Sequence, residues 1–318
     1  LSMAFLFPGQ GSQSAGMLAW LPETPIVRQM LEEAATVLGY PPSQLDQENA
    51  LKNTEYAQVA IFITGLASAR MLRERGLSPM FLAGHSLGAF TAATFAGVIN
   101  FADGLRLVRT RARAMQEACP DGYGMAAITG LTQSMCESMV SQVRAGGSAV
   151  YLGSVNSAEQ VTISGSTKGL VEVLELARNN GARKTVYLDI PVPSHTPLMD
   201  GVAKQLLEAM REVRPQRPSI PCICNRAPRI LTDGAAILED LARSVNEPIR
   251  WGDATSLLYE AGVRTFVEMP PGNVLTSLLS KSFSDVRCLA LGNTRTDSLD
   301  AVVRALTKCN YDNEPGCF

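Results

Sequence analysis

A chain of 318 residues is long enough to bury a sizeable core, in one large α/β domain or two smaller ones. Its hydrophobic fraction of 46%, charged fraction of 18% and net charge of −2 describe a soluble globular protein with no electrostatic case for nucleic acid or an anionic membrane. Seven cysteines without a secretory signal point to reduced thiols in the cytoplasm, two histidines argue against a structural metal site, and no apolar run reaches membrane-spanning length.

Leu1 and Ser2 lie ahead of Met3 and are set aside. From Met3 onward, short apolar strands alternate with amphipathic helices, which predicts a mostly parallel sheet covered by helices. MAFLF, Met3 to Phe7, is the first strand and ends at Pro8-Gly9. Thr24-Pro25 starts a helix whose stripe of Val27, Met30, Leu31, Ala34 and Leu38 stops at Gly39. A longer helix is predicted from about 54 to 75, closed by Gly76. MFLAG is the next strand, followed by helices from Leu87 and from about Phe101. The order then changes. GMAAITGL, a helix after Thr132, AVYLGSV, QVTISGS, a helix after Lys168 and RKTVYLDI give β-α-β-β-α-β, the order of a ferredoxin-like subdomain placed at 124–191. TFVEM and CLAL are later strands, each followed by a helical pattern. The main domain is therefore discontinuous, 3–123 with 192–308, and 309–318 reads as a loose tail. With no heptad and no long exposed edge, a monomer is expected.

Chemistry concentrates in Gly84-His85-Ser86-Leu87-Gly88, which fits the G-x-S-x-G elbow. A strand turning sharply into a helix strains the backbone at the serine and leaves no room for a side chain on either flank. The turn projects the hydroxyl outward at a helix N-terminus, where unpaired N–H groups favour developing negative charge. Such a nucleophile needs a base that works near neutral pH. His85 directly precedes Ser86 and should point away from it, which leaves His195, in VPSHTPLM, on a loop stiffened by Pro193 and Pro197.

A third residue is out of place. In LRLVRTRARAM, Arg106, Arg109 and Arg113 share one face, read as solvated surface. Arg111 lies about 200° from both Arg109 and Arg113, on the side of Leu107, Val108, Ala114 and Met115. An arginine in a core-facing stripe keeps its charge and must meet an anion. Helix geometry leaves two partners open, a buried structural carboxylate or a substrate carboxylate gripped by the guanidinium fork.

Taken together, the chain resembles the malonyl-CoA:acyl-carrier-protein transacylase family. FPGQGSQ, GHSLG, the arginine in RTRARAM, VNSAEQVTISG, VPSHTPLM and EMPPGNVLTSLL occur in that family's order over nearly the whole length. The resemblance implies an α/β-hydrolase-like large domain, an inserted ferredoxin-like subdomain and an active site between them. It makes Ser86 the acyl-accepting nucleophile, His195 its general base and Arg111 the holder of the malonyl carboxylate. Backbone N–H groups of Gln10 and Leu87 would form the oxyanion hole, and Gln58 and Asn156 would line the pocket. There are two departures. Ala89 stands where Glu often follows GHSLG. Ser244, four residues before Pro248, stands where many members have a Gln whose backbone carbonyl orients the histidine. A carbonyl is available from any residue, and Ser244 is counted with the pocket.

Within the family, GHSLGAF, CNRAPRI and the run from EPIRWGD to VLTSLL look most similar to the transacylase (epsilon) subunit of malonate decarboxylase. The resemblance implies malonyl-CoA as substrate, no cofactor of the enzyme's own, and no metal. The acceptor would be the phosphopantetheine-type arm of an acyl carrier protein, with other malonate decarboxylase subunits as further partners. The same chemistry serves fatty acid or polyketide synthesis. A serine hydrolase or thioesterase is a rival, because acids such as Asp189 lie between Ser86 and His195. A non-catalytic docking subunit that kept the fold is another.

Overall fold

The computed structural model describes residues 2–119, 121–294 and 298–308. Its strands are β1 (Met3–Phe7), β2 (Phe81–Gly84), β3 (Tyr123–Thr129), β4 (Val150–Ser157), β5 (Gln160–Ser166), β6 (Lys184–Tyr187), β7 (Cys222–Ile223), β8 (Ile230–Leu231), β9 (Thr265–Glu268) and β10 (Arg287–Ala290). They form two sheets, one ordered β10-β9-β1-β2-β7-β8 and one ordered β4-β5-β3-β6. Every pair in the first is parallel except β7 with β8, and every pair in the second is antiparallel. All five residues of β1 are buried, as expected of a central strand covered on both faces.

Helix ends follow local chemistry. The Thr24 side chain accepts the Val27 N–H ahead of α1 (Pro25–Leu38), and Gly39, at φ 82°, closes it. In α2 (Thr54–Glu74), Asn53 caps by accepting from Glu55 and Tyr56. This helix is buried nearly all round, so it is an interior layer rather than a surface one. It is followed by α3 (Gly88–Phe95), α4 (Phe101–Ala118), α5 (Gln133–Ala145), α6 (Thr167–Asn179), α7 (Asp200–Met210), α8 (Gly234–Arg243), α9 (Trp251–Glu260), α10 (Val274–Ser282) and α11 (Leu299–Lys308). The expected tail at 309–318 lies outside the described residues.

The two sheets have separate cores. Ile128, Cys136, Val140, Ile163, Val173 and Leu174 fill the space between the antiparallel sheet and its two helices α5 and α6. Met125, on β3, and Ile190 instead join the larger cluster around β1 and α2, tying the smaller sheet to the larger unit. One expectation needs correction. The Arg106, Arg109 and Arg113 face of α4 is not simply solvated: Arg109 and Arg113 both donate to the carboxylate of Glu55, which is 8% exposed. Only Arg106, paired with Asp103, is a surface contact of the expected kind.

Candidate active site

Among the described residues, two that are not glycine have positive φ, Ser86 at 57° and His195 at 67°. Backbone strain of this kind persists only where the surroundings over-determine it. At Ser86 the surroundings are glycines. A Cβ on Gly84 would lie 2.1 Å from the Gly88 carbonyl carbon, and one on Gly88 would lie 1.9 Å from the Phe7 carbonyl oxygen. The G-x-S-x-G spacing is thus a packing requirement of β1 against the turn from β2 into α3. His85 donates its backbone N–H to the Phe7 carbonyl, which locks the turn to the central strand.

Arg111 reaches this turn from α4. Its guanidinium donates to Ser86 Oγ at 2.8 Å and to Gln58 Oε1 at 2.6 Å. The residue is 1% exposed, and among the described residues its Nε has no partner. Among the described residues no carboxylate pairs with Arg111, so the structural ion pair left open by helix geometry is absent. Besides the Ser86 and Gln58 oxygens, the centroid of the Phe90 ring lies 5.8 Å from the guanidinium carbon. Burial brings the Arg111 pKa down to about 9, which still leaves a cation at neutral pH. Gln58 does not line the cavity as the resemblance implied. It is fully buried behind Arg111 and hands its Nε2 on to Gln10 Oε1 at 3.1 Å, so it orients the arginine.

His195 is 3% exposed and held at both ends of its residue. Its backbone N–H donates to the Val245 carbonyl at 2.7 Å, and ring Nδ1 meets the Ser244 carbonyl at 2.5 Å. A carbonyl can only accept, so Nδ1 carries the proton and Nε2 is left as the basic nitrogen. The Ser244 side chain turns back to the Leu241 carbonyl, so Ser244 contributes its main chain and is not a wall of the pocket.

Ser86, His195, Arg111, Gln10 and Asn156 line one cavity between the two sheets. Met125, Ala127, Leu188, Ile190, Leu275 and Leu278 supply its apolar wall. That mixture of apolar wall and a few convergent polar groups is typical of a ligand site. His85 also lines it, with Nε2 3.1 Å from Asn156 Oδ1 and its ring edge-on to Trp251. Among the described residues no acceptor takes the backbone N–H of Gln10 or of Leu87. One participant escaped the sequence reading: Asn225 Oδ1 accepts the Ser86 backbone N–H at 2.8 Å. Only the CNRAPRI motif marked that region, and nothing local ties it to a serine 139 positions away.

Residues 4–312 match the acyl transferase domain family. The chain belongs to that family. It is an acyltransferase with a mixed α/β fold. It is 35% identical over 302 residues to the malonyl CoA-acyl carrier protein transacylase of Bacillus subtilis (strain 168), covering 93% of this chain and 95% of that protein. The malonyl CoA-acyl carrier protein transacylase structure from Coxiella burnetii superposes with a TM-score of 0.90 at 32% identity, covering 96% of this chain and 97% of that one. A complex of a type II polyketide-synthase acyl carrier protein with its malonyl-transacylase also gives a TM-score of 0.90, at 34% identity, over 96% of this chain and 100% of the other. No helix among the described residues is long and apolar enough to cross a membrane.

The electrostatics of this acyltransferase yield a pH signature. Burial, and then the Arg111 cation, bring the His195 pKa down to about 3. Unfolded, the ring takes a proton near about 6.5; folded, it does so only near the lower value. Between the two the unfolded chain binds more protons, so stability falls as pH drops through that window, and burial of His85 adds in the same direction. With His195 as the base, the same depression places the acid limb of kcat/KM well below the ordinary histidine range. An anion on Arg111 removes one cause of the depression, so the acid limb of kcat should lie at higher pH than that of kcat/KM. Paired pH profiles of the two constants check this, and coincident limbs near pH ~6.5 would contradict it.

Proposed function

We propose that the enzyme transfers a malonyl group from malonyl-CoA to the thiol of an acyl carrier protein through a malonyl ester on Ser86. The observation that carries this reading is Arg111, a buried cation with no anionic partner among the described residues, which donates to Ser86 Oγ at 2.8 Å. In a malonyl thioester the carboxylate sits two bonds beyond the carbonyl carbon that Oγ attacks. A guanidinium already within hydrogen-bond reach of Oγ is well placed to take it in two-point fashion.

In the acylation step Nε2 of neutral His195 takes the Ser86 proton as Oγ bonds to the thioester carbonyl carbon. The unpaired N–H groups of Gln10 and Leu87 receive the oxyanion. The C–S bond then breaks, His195 returns the proton to the departing coenzyme A sulfur, and a malonyl-serine ester remains. The carrier thiol attacks that ester by the same steps in reverse, giving ping-pong kinetics. The enzyme requires no cofactor of its own and no metal in this scheme.

The strand order β4-β5-β3-β6 supports reading 124–191 as an inserted ferredoxin-like subdomain. The parallel sheet with its elbow supports an α/β-hydrolase-like unit from 3–123 with 192–308. Of the two roles considered for the malonyl transfer, the relatives favour fatty acid or polyketide synthesis, and the malonate decarboxylase assignment receives no support from them. Arg111 beside the nucleophile argues against a hydrolase of acyl groups that carry no carboxylate.

The test is to mix the enzyme with malonyl-CoA and a phosphopantetheinylated carrier protein of a type II synthase, and to measure malonyl-carrier and free malonate. Malonyl-carrier as the main product is expected. Malonate release with no transfer would establish a thioesterase, and efficient transfer only to a malonate decarboxylase carrier would restore the first role.

A further inference from the structure

We propose that Asn225 and Asp240 are positioning residues for Ser86. The proposal rests on reading Ser86 as nucleophile and His195 as base. The Ser86 N–H sits in a strained turn and donates to Asn225 Oδ1, in the short connection between β7 and β8. Asn225 is 3% exposed and its own backbone is pinned on both sides. Its N–H donates to Asp240 Oδ2 at 2.8 Å, and its carbonyl accepts the Arg250 N–H at 2.7 Å. Asp240, on the last turn of α8, uses its other oxygen to accept from Cys224 Sγ at 2.9 Å and Arg226 Nε at 3.1 Å. Arg226 in turn donates to Glu247. The carboxylate thus fixes three consecutive residues, 224–226, and aims the middle one at the nucleophile.

The same turn holds the base. The Asp240 carbonyl accepts the Ser244 N–H at 2.9 Å, and the Ser244 carbonyl faces His195 Nδ1 while the Val245 carbonyl takes the His195 N–H. Ser86 and His195, 109 positions apart in sequence, are therefore referenced to one rigid element through short chains of hydrogen bonds. Asn225 and Asp240 do not line the cavity, so they should set the geometry of attack without touching the bound thioester.

Rapid-mixing measurement of Ser86 malonylation tests this, with malonyl-CoA affinity measured separately in the Ser86→Ala background. Asn225→Ala is expected to slow acylation by about tenfold to 100-fold while affinity stays within about twofold. Asp240→Asn should give a smaller loss, and the double variant should be no slower than Asn225→Ala, because Asp240 acts through Asn225. Losses that multiply, a loss confined to affinity, or acylation within about twofold of the unaltered enzyme would overturn the proposal. If Asn225→Ala does not fold, Asp240→Asn carries the same test alone. Failure of the unaltered enzyme to form any Ser86 adduct would instead overturn the underlying reading of the site.

Discussion

Ser86→Ala is expected to abolish the acyl-enzyme and to lower turnover of malonyl-CoA by about 10⁴-fold or more. Among the described residues no other nucleophile is in a position to replace it. Cys222 and Cys224 are buried, and burial pushes both thiols up, Cys222 to about 12. The other cavity hydroxyls, such as Ser194 and Thr162, lack the elbow that strains Ser86 at a helix N-terminus. The variant should remain folded, because among the described residues the Ser86 hydroxyl bonds only to Arg111, whereas the backbone N–H that Asn225 accepts is kept. Intact mass after exposure to malonyl-CoA, with thermal unfolding alongside, separates loss of chemistry from loss of fold. An undiminished adduct in Ser86→Ala would assign the ester elsewhere.

Replacing Arg111 by methionine should produce the second-largest effect, and it should be selective. A malonyl carboxylate facing methionine loses a charge-assisted fork and is buried unpaired, a cost of a few kcal/mol, or about 10²- to 10³-fold in acylation rate. Acetyl-CoA carries no such carboxylate. Against the natural enzyme it leaves Arg111 buried and unanswered, so in Arg111→Met the acetyl rate should rise while the malonyl rate falls. Stability gives an independent sign. Breaking a buried ion pair destabilises, but Arg111 has no carboxylate partner among the described residues; an apolar replacement removes a buried charge and leaves Gln58 Oε1 unanswered, so the two offset and the net change in stability should be small. Equal losses for both thioesters, or a large drop in unfolding temperature, would mark Arg111 as structural.

Much of this arrangement was legible because it is encoded locally. Thr24-Pro25 and Gly39 bound α1 through a side-chain cap and a left-handed terminus, both properties of single residues. Gly84 and Gly88 announced the elbow because backbone atoms lie where their Cβ atoms would be. The core-facing position of Arg111 was legible from helical phase, since α4 is regular from Phe101 to Ala118, whereas its partner was not. What was not legible depends on partners far along the chain. Periodicity placed Arg109 and Arg113 correctly on one face but could not reveal that Glu55, on another helix, waits opposite them. Gln58 resembled a pocket residue and proved to stand behind the arginine it orients. Strands β7 and β8 are two residues each, too short to carry a period, yet the turn between them delivers Asn225 to Ser86. The left-handed backbone of His195 was not legible from its residue type, because even histidine, which is enriched there, adopts that conformation in only a small minority of cases.

The most direct measurement is a competition. Equal concentrations of malonyl-CoA and acetyl-CoA are mixed briefly with the enzyme, and the peptide containing Ser86 is weighed. A malonyl adduct on Ser86 that dominates the acetyl adduct, with the preference lost in Arg111→Met, is the predicted result. No adduct, or equal amounts of the two on Ser86, would contradict the carboxylate clamp on which the functional reading depends.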